Sequence, residues 1–130
     1  MEDKGTQAIR IGKMILNDED LKIKVQYNGE MFVMRYPTPM EKAQIETDIA
    51  RTLGGMPRAS FSEDHLFLTE ATAYVNRLAI AEECPPWFKS AWTCYDENLI
   101  ATLYGEYVTF RNTFRNRIAE GELQGNSERA

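Results

Sequence analysis

The side chains able to do chemistry are few, and their spacing matches no catalytic arrangement. His65 is the only histidine, and it follows Glu63 and Asp64. An imidazole beside carboxylates can act as a general base. No matched nucleophile stands at a recognisable spacing from it. The better reading is a surface histidine in the acidic first turn of a helix. Cys84 and Cys94 are the two cysteines. With a single histidine they fall short of a tetrahedral zinc site, so no metal is expected. In a cytosolic setting both are expected to be reduced thiols. Glu82-Glu83 and Asp96-Glu97 match no hard-cation loop and read as helix-end acids. Gly54-Gly55 and Gly29 are not followed by Lys-Ser/Thr. The glycine pair closes a helix, whereas a phosphate loop opens one. Catalytic residues, metal and cofactors are therefore set at none, and the chain is read as a non-enzyme.

Arg111, Arg115 and Arg117 cluster late in the sequence. They could contact nucleic acid. The favoured reading is charge complementing a helix C-terminus, with Arg111 and Arg115 on a solvated face. The net charge of −5 supports that choice and argues against a nucleic-acid partner.

The most distinctive stretch is Pro85-Pro86-Trp87-Phe88-Lys89-Ser90-Ala91-Trp92. It holds both tryptophans of the chain. Such residues either plug the end of a helical core or anchor a partner, since Trp is enriched at interface hot spots. The sequence leaves both readings open. On the second, the partner-contact residues are Trp87, Phe88 and Trp92, with Tyr36 at the hairpin's end.

These residues need elements to position them. The 130 residues suffice for one domain, 1–130, that buries a core without a disulfide or metal. The ordered core is expected at about 9–120, with loose polar termini at 1–8 and 121–130. Ile9, Ile11, Ile15 and Leu16 predict a short strand, and Asn17 to Asp20 a turn. Asn28-Gly29 is a type I′ hairpin signal, because both central residues need positive φ. That turn sets Val25 opposite Phe32, Ile23 opposite Met34 and Leu21 opposite Tyr36, all on one apolar face. Lys22, Lys24, Gln26 and Arg35 fall on the other face. A lone hairpin is unstable in water, so its apolar face must cover helices.

Three helices are expected. Thr38, Pro39 and Glu41 form a capping box for the first, which ends at Gly54-Gly55. Its predicted stripe is Met40, Ala43, Ile49, Ala50 and Leu53. Ser62 caps the second, which carries Phe67, Ala71, Tyr74, Val75 and Leu78 and is stopped by Cys84-Pro85-Pro86. Leu66, Leu68 and Ile80 widen its stripe and make it the central helix. Asp96 caps the third, roughly 97–120, with Gly121 as its stop. Its stripe runs through Leu99, Leu103, Tyr107, Phe110, Phe114 and Ile118, with Ile100 and Tyr104 beside it. The fold class is thus α+β, mainly α: an N-terminal β-hairpin packed on a bundle of about three helices.

The longest apolar runs are tetrads, Met31–Met34 and Leu78–Ala81, far below the ~20 residues of a membrane span. No apolar stretch follows the polar start, which predicts no secretory signal and no membrane partner.

The layout resembles small proteins of tailed-phage gene clusters, most closely the tail assembly chaperones of long-tailed bacteriophages. The likeness is carried by the hairpin leading into Tyr36-Pro37-Thr38-Pro39 with Glu41 and Ile45. It continues through Leu53-Gly54-Gly55, Pro57, the helix around Phe67, Pro85-Pro86-Trp87-Phe88 and Asp96-Glu97-Asn98-Leu99. It spans roughly Leu21 to Ile118. The resemblance implies a non-enzymatic role in the host cytoplasm, binding the tape-measure protein and recruiting the tail-tube protein. It supplies no site residue by position. A minor virion structural protein of the tail, baseplate or neck is the alternative. Self-association into a homo-oligomer is left open.

Overall fold

The computed structural model describes residues 9–11 and 13–129, with side chains described to residue 120. Two strand pairs precede three α-helices among these residues. Strands β1 (Ile9–Ile11) and β2 (Met14–Leu16) pair antiparallel, so the strand expected near Ile9 to Leu16 is a small hairpin of its own. Strands β3 (Lys22–Tyr27) and β4 (Glu30–Arg35) form the main hairpin. Helices α1 (Pro39–Thr52), α2 (Glu63–Leu78) and α3 (Glu97–Arg129) follow. The reading of 1–8 as a loose polar terminus lies outside the described residues.

Asn28 and Gly29 take φ of 50° and 80°, as a type I′ turn requires. The register follows: Val25 pairs with Phe32 and Ile23 with Met34. The Tyr36 N–H donates to the Leu21 carbonyl at 2.9 Å, which carries the ladder one step further. The four inward side chains, Ile23, Val25, Phe32 and Met34, are buried.

The opposite face is less open than expected. Val33 is buried there, and Lys22 is clasped by Glu19 at 3.0 Å and Glu83 at 2.8 Å. The cause is the path of the chain after α2. That helix ends at Leu78, well before the Cys84-Pro85-Pro86 stop predicted for it. Ala79 turns extended and bridges to Met34, and the Ile80 N–H donates to the Val33 carbonyl at 2.9 Å. An open strand edge needs partners for its N–H and C=O groups, and this demand outweighs continued helix. A periodicity argument sees only the helical pattern and places Ile80 in α2.

Helix α1 starts as expected. Thr38 Oγ1 accepts from the Glu41 N–H at 3.2 Å, and the Glu41 carboxylate accepts from the Thr38 N–H at 2.9 Å. Its buried line differs from the predicted stripe. Ile45, Ile49 and Leu53 are buried, while Met40, Ala43 and Ala50 are exposed. A helix that packs on α2 along one narrow line needs only the i, i+4, i+8 row.

In α2, Ala71, Val75 and Leu78 are buried, but Phe67 is 49% exposed. Phe67 reaches only the edge of Tyr104, with ring centroids 5.9 Å apart. The small residues Ala71, Thr72 and Ala73 are all buried and hold α2 at the centre. The Thr72 hydroxyl donates to the Leu68 carbonyl at 2.6 Å, which satisfies its burial.

Asp96 caps α3, accepting from the Leu99 N–H at 3.0 Å. Leu99, Ile100, Leu103, Tyr104, Tyr107 and Phe114 bury the face turned to the hairpin and α2. The helix does not stop at Gly121. It continues through it to Arg129. Gly121 and Gly125 each cost only about 1 kcal/mol relative to alanine, and no proline lies between Gly121 and Arg129 to enforce an end. The core therefore lies between the inner face of the main hairpin, α2 and the first half of α3, with α1 closing one side.

Candidate functional site

The segment between α2 and α3 is built on the proline pair. Pro85 and Pro86 exclude a helix, and the chain turns at once, with the Phe88 N–H on the Pro85 carbonyl at 2.9 Å. Phe88 drops into the core at 6% exposure and meets the edge of Phe32, with centroids 5.4 Å apart. Trp87 stays at the surface, 52% exposed. Its ring leans edge-on against Phe32 and Phe88, each at 5.9 Å. Its indole N–H donates to both oxygens of Glu30, at 2.9 and 3.1 Å. Phe88 is thus the core plug of this segment, and Trp87 is exposed above it.

The second half of the loop is tied to α2 by Asn76. Its Oδ1 accepts from the Ser90 hydroxyl and the Ala91 N–H, both at 3.0 Å. Ser90 in turn accepts from the Trp92 N–H at 3.1 Å. Ala91 is buried and Trp92 is 40% exposed. Tyr95 is fully exposed. Sequence reasoning passed over Tyr95. The available signal was its position one residue before the α3 cap, outside every apolar stripe.

The exposed rings open onto different concavities. Trp87 and Tyr95 line one of about 370 Å³ together with Lys89 and Asp96. Trp92 borders two others. One, of about 540 Å³, also holds Arg51, Arg77 and Asn76. The second, of about 260 Å³, holds His65, Cys94 and Glu97.

Tyr36 does not join them. It packs on Phe114 at 5.0 Å, Phe110 at 5.9 Å and Tyr107 at 6.3 Å, with the Lys42 ammonium 5.7 Å from its ring centre. It follows β4, whereas Glu30 and Trp87 sit at that strand's start, roughly 20 Å away at the usual rise per residue. The structure gives Tyr36 a packing role against α3.

The titratable groups are held by charge and burial. Asp48 and Arg77 join α1 to α2 by two hydrogen bonds, at 2.7 and 3.1 Å. Arg77 holds the Asp48 carboxyl below the ordinary carboxylate range. Burial raises the Cys84 thiol, whose Sγ lies 3.5 Å from the Val33 carbonyl. His65 stacks on Phe61 at 5.1 Å. Although His65 and Cys94 border one cavity, no hydrogen bond joins them among the described residues. Glu83 serves the Lys22 clasp, and Glu82 is exposed. Arg111 departs from its expected solvated face. Its guanidinium lies 5.7 Å from the Tyr107 ring centre, and its Nε is buried. Arg115 and Arg117 are exposed.

What this loop can do chemically is bind. It offers large, orientable apolar surface beside charged groups, held on a fixed frame. Among the described residues no helix is long and apolar enough to cross a membrane. No protein-family model, no curated protein and no solved structure matches the sequence.

Proposed function

We propose that the chain is a non-enzymatic assembly chaperone or adaptor of phage tails. It binds the tape-measure protein and assists tail-tube assembly in the host cytoplasm. The partner's identity rests on the resemblance of the sequence layout. The binding role is supported by one observation: Trp87, Trp92 and Tyr95 are exposed on a single loop braced by Phe88 and Asn76. Exposed Trp and Tyr supply large contact area at low conformational cost, and they are enriched among residues that dominate interfaces. A loop already fixed by hydrogen bonds loses less entropy on docking.

The test is co-expression with a phage tape-measure protein, followed by purification of both the complex and mature particles. A chaperone co-purifies with the tape-measure protein and is missing from particles. Presence in washed particles at fixed stoichiometry identifies a minor virion structural protein instead.

A further inference from the structure

We propose that the concavity between Trp87 and Tyr95 receives a basic side chain, arginine in preference to lysine, from the docked protein. The inference deepens the reading of this loop as a docking surface and rests on it. Three features of the site carry it.

Two aromatic rings border one cavity of about 370 Å³, and both are exposed. Trp is the strongest neutral partner for a cation at its face, and Tyr also serves. The Trp87 indole is also held by its edge. Both Glu30 oxygens take the indole N–H, so the ring plane is set before any ligand arrives.

The two carboxylates nearest these rings, Glu30 at the indole edge and Asp96 on the cavity rim, lack counter-cations among the described residues. Asp18, Glu19, Asp48, Glu70 and Glu83 each lie within salt-bridge distance of a lysine or arginine. Glu30 and Asp96 do not, among the described residues. Glu30 is engaged only by the neutral indole. Asp96 accepts from the Leu99 N–H and, at 3.4 Å, from the Tyr27 hydroxyl. One negative charge thus lies at the edge of Trp87 and another on the cavity rim beside Tyr95, with no cation spent on either.

The single cation on this rim is Lys89, which forms no ion pair among the described residues. On the rim Asp96 offsets Lys89, and Glu30 at the indole edge adds a second carboxylate, so within a chain of net charge −5 the surroundings favour an incoming positive group. Arginine fits best, because its planar guanidinium can stack on an indole and also donate to carboxylates.

The test uses a short amphipathic helical peptide with one central arginine on an uncharged polar face, and its twin with norleucine at that position. Each is titrated into the ¹⁵N-labelled protein while the two tryptophan indole resonances are followed. The arginine peptide is expected to shift Trp87 and to leave Trp92 in place. The norleucine twin should bind at least about two- to fivefold more weakly. Glu30→Gln, which can still accept the indole bond, should erase that preference without changing the melting temperature. Equal binding of the twins at Trp87 overturns the basic-side-chain inference and leaves an apolar docking loop. A response at Trp92 alone, or at neither indole, overturns it too. Co-purification of a Trp87→Ala variant with the tape-measure protein then judges the docking loop separately.

Discussion

The carboxamide oxygen of Asn76 accepts from both the Ser90 hydroxyl and the Ala91 N–H at 3.0 Å, locking the aromatic loop to the last turns of α2. Exposed rings on a slack loop would cost entropy to order at every encounter. Here one side chain removes that cost in advance.

Asn76→Ala strips two half-buried bonds at once. The expected loss is about 1–3 kcal/mol, the range for a donor left without its partner. Protection of the Ala91 amide against hydrogen exchange should fall more than that of Val75 in α2. If Ala91 keeps its protection, the loop is held by something other than Asn76.

Phe88 and Trp87 are neighbours with opposite roles, and their truncations should separate. Phe88→Ala empties a core position against Phe32 and should cost about 3–5 kcal/mol. Trp87→Ala loses edge contacts of a ring already half in water, about 0.5–1.5 kcal/mol. Thermal melts followed by circular dichroism rank the two. A Trp87 loss as large as that of Phe88 would move Trp87 into the core.

Two glycines should respond in opposite directions. Gly29 sits at φ 80°, where a β-branched side chain is strained, so Gly29→Val should destabilise by about 1–3 kcal/mol. Gly105 lies within α3, and a Cβ built there meets nothing within 4 Å. Gly105→Ala should therefore stabilise by about 0.5–1 kcal/mol through helix propensity alone. Denaturant midpoints decide both signs.

The tyrosines of α3 set an alkaline limit. Burial pushes the Tyr107 hydroxyl up to about 12, and burial with the Glu70 carboxylate raises Tyr104 further. In the unfolded chain both ionise near pH ~10. Above that pH the unfolded state loses protons that the folded state keeps. Stability from these groups is full below about pH 10 and declines as pH rises toward the folded values. Tyr107→Phe keeps the ring and removes one ionisation. Its stability should fall less steeply than the parent's between neutral and strongly alkaline pH, as urea titrations at both would read. Equal slopes would place the Tyr107 hydroxyl in water.

Much of this fold was legible because local signals agreed with tertiary demands. Asn28-Gly29 fixed a register that the packing of Ile23, Val25, Phe32 and Met34 requires. Thr38, Ser62 and Asp96 each cap the helix they precede. The misses share a cause. Ile80 left its helical period to pair with Val33, and α1 buried one narrow row because it packs mainly on one neighbour. Neither fact is local to the residues concerned. At the candidate site the tryptophans could be named but not sorted. Which ring faces inward is decided by Phe32, Glu30 and Asn76, residues distant in sequence. Tyr36, at the hairpin's end, packs on Phe110 and Phe114 of α3, apart from the loop, and that contact too is not local in sequence.

The most direct measurement is co-purification of the tape-measure protein with the parent and with a Trp87→Ala, Tyr95→Ser double variant. Both replaced rings are exposed, and the variant should keep its helical circular dichroism and melt within a few degrees of the parent. The account expects the folded variant to lose most of the bound tape-measure protein, since anchors of this kind typically contribute about 2 kcal/mol or more to binding. Undiminished recovery of the tape-measure protein by a folded variant would contradict it.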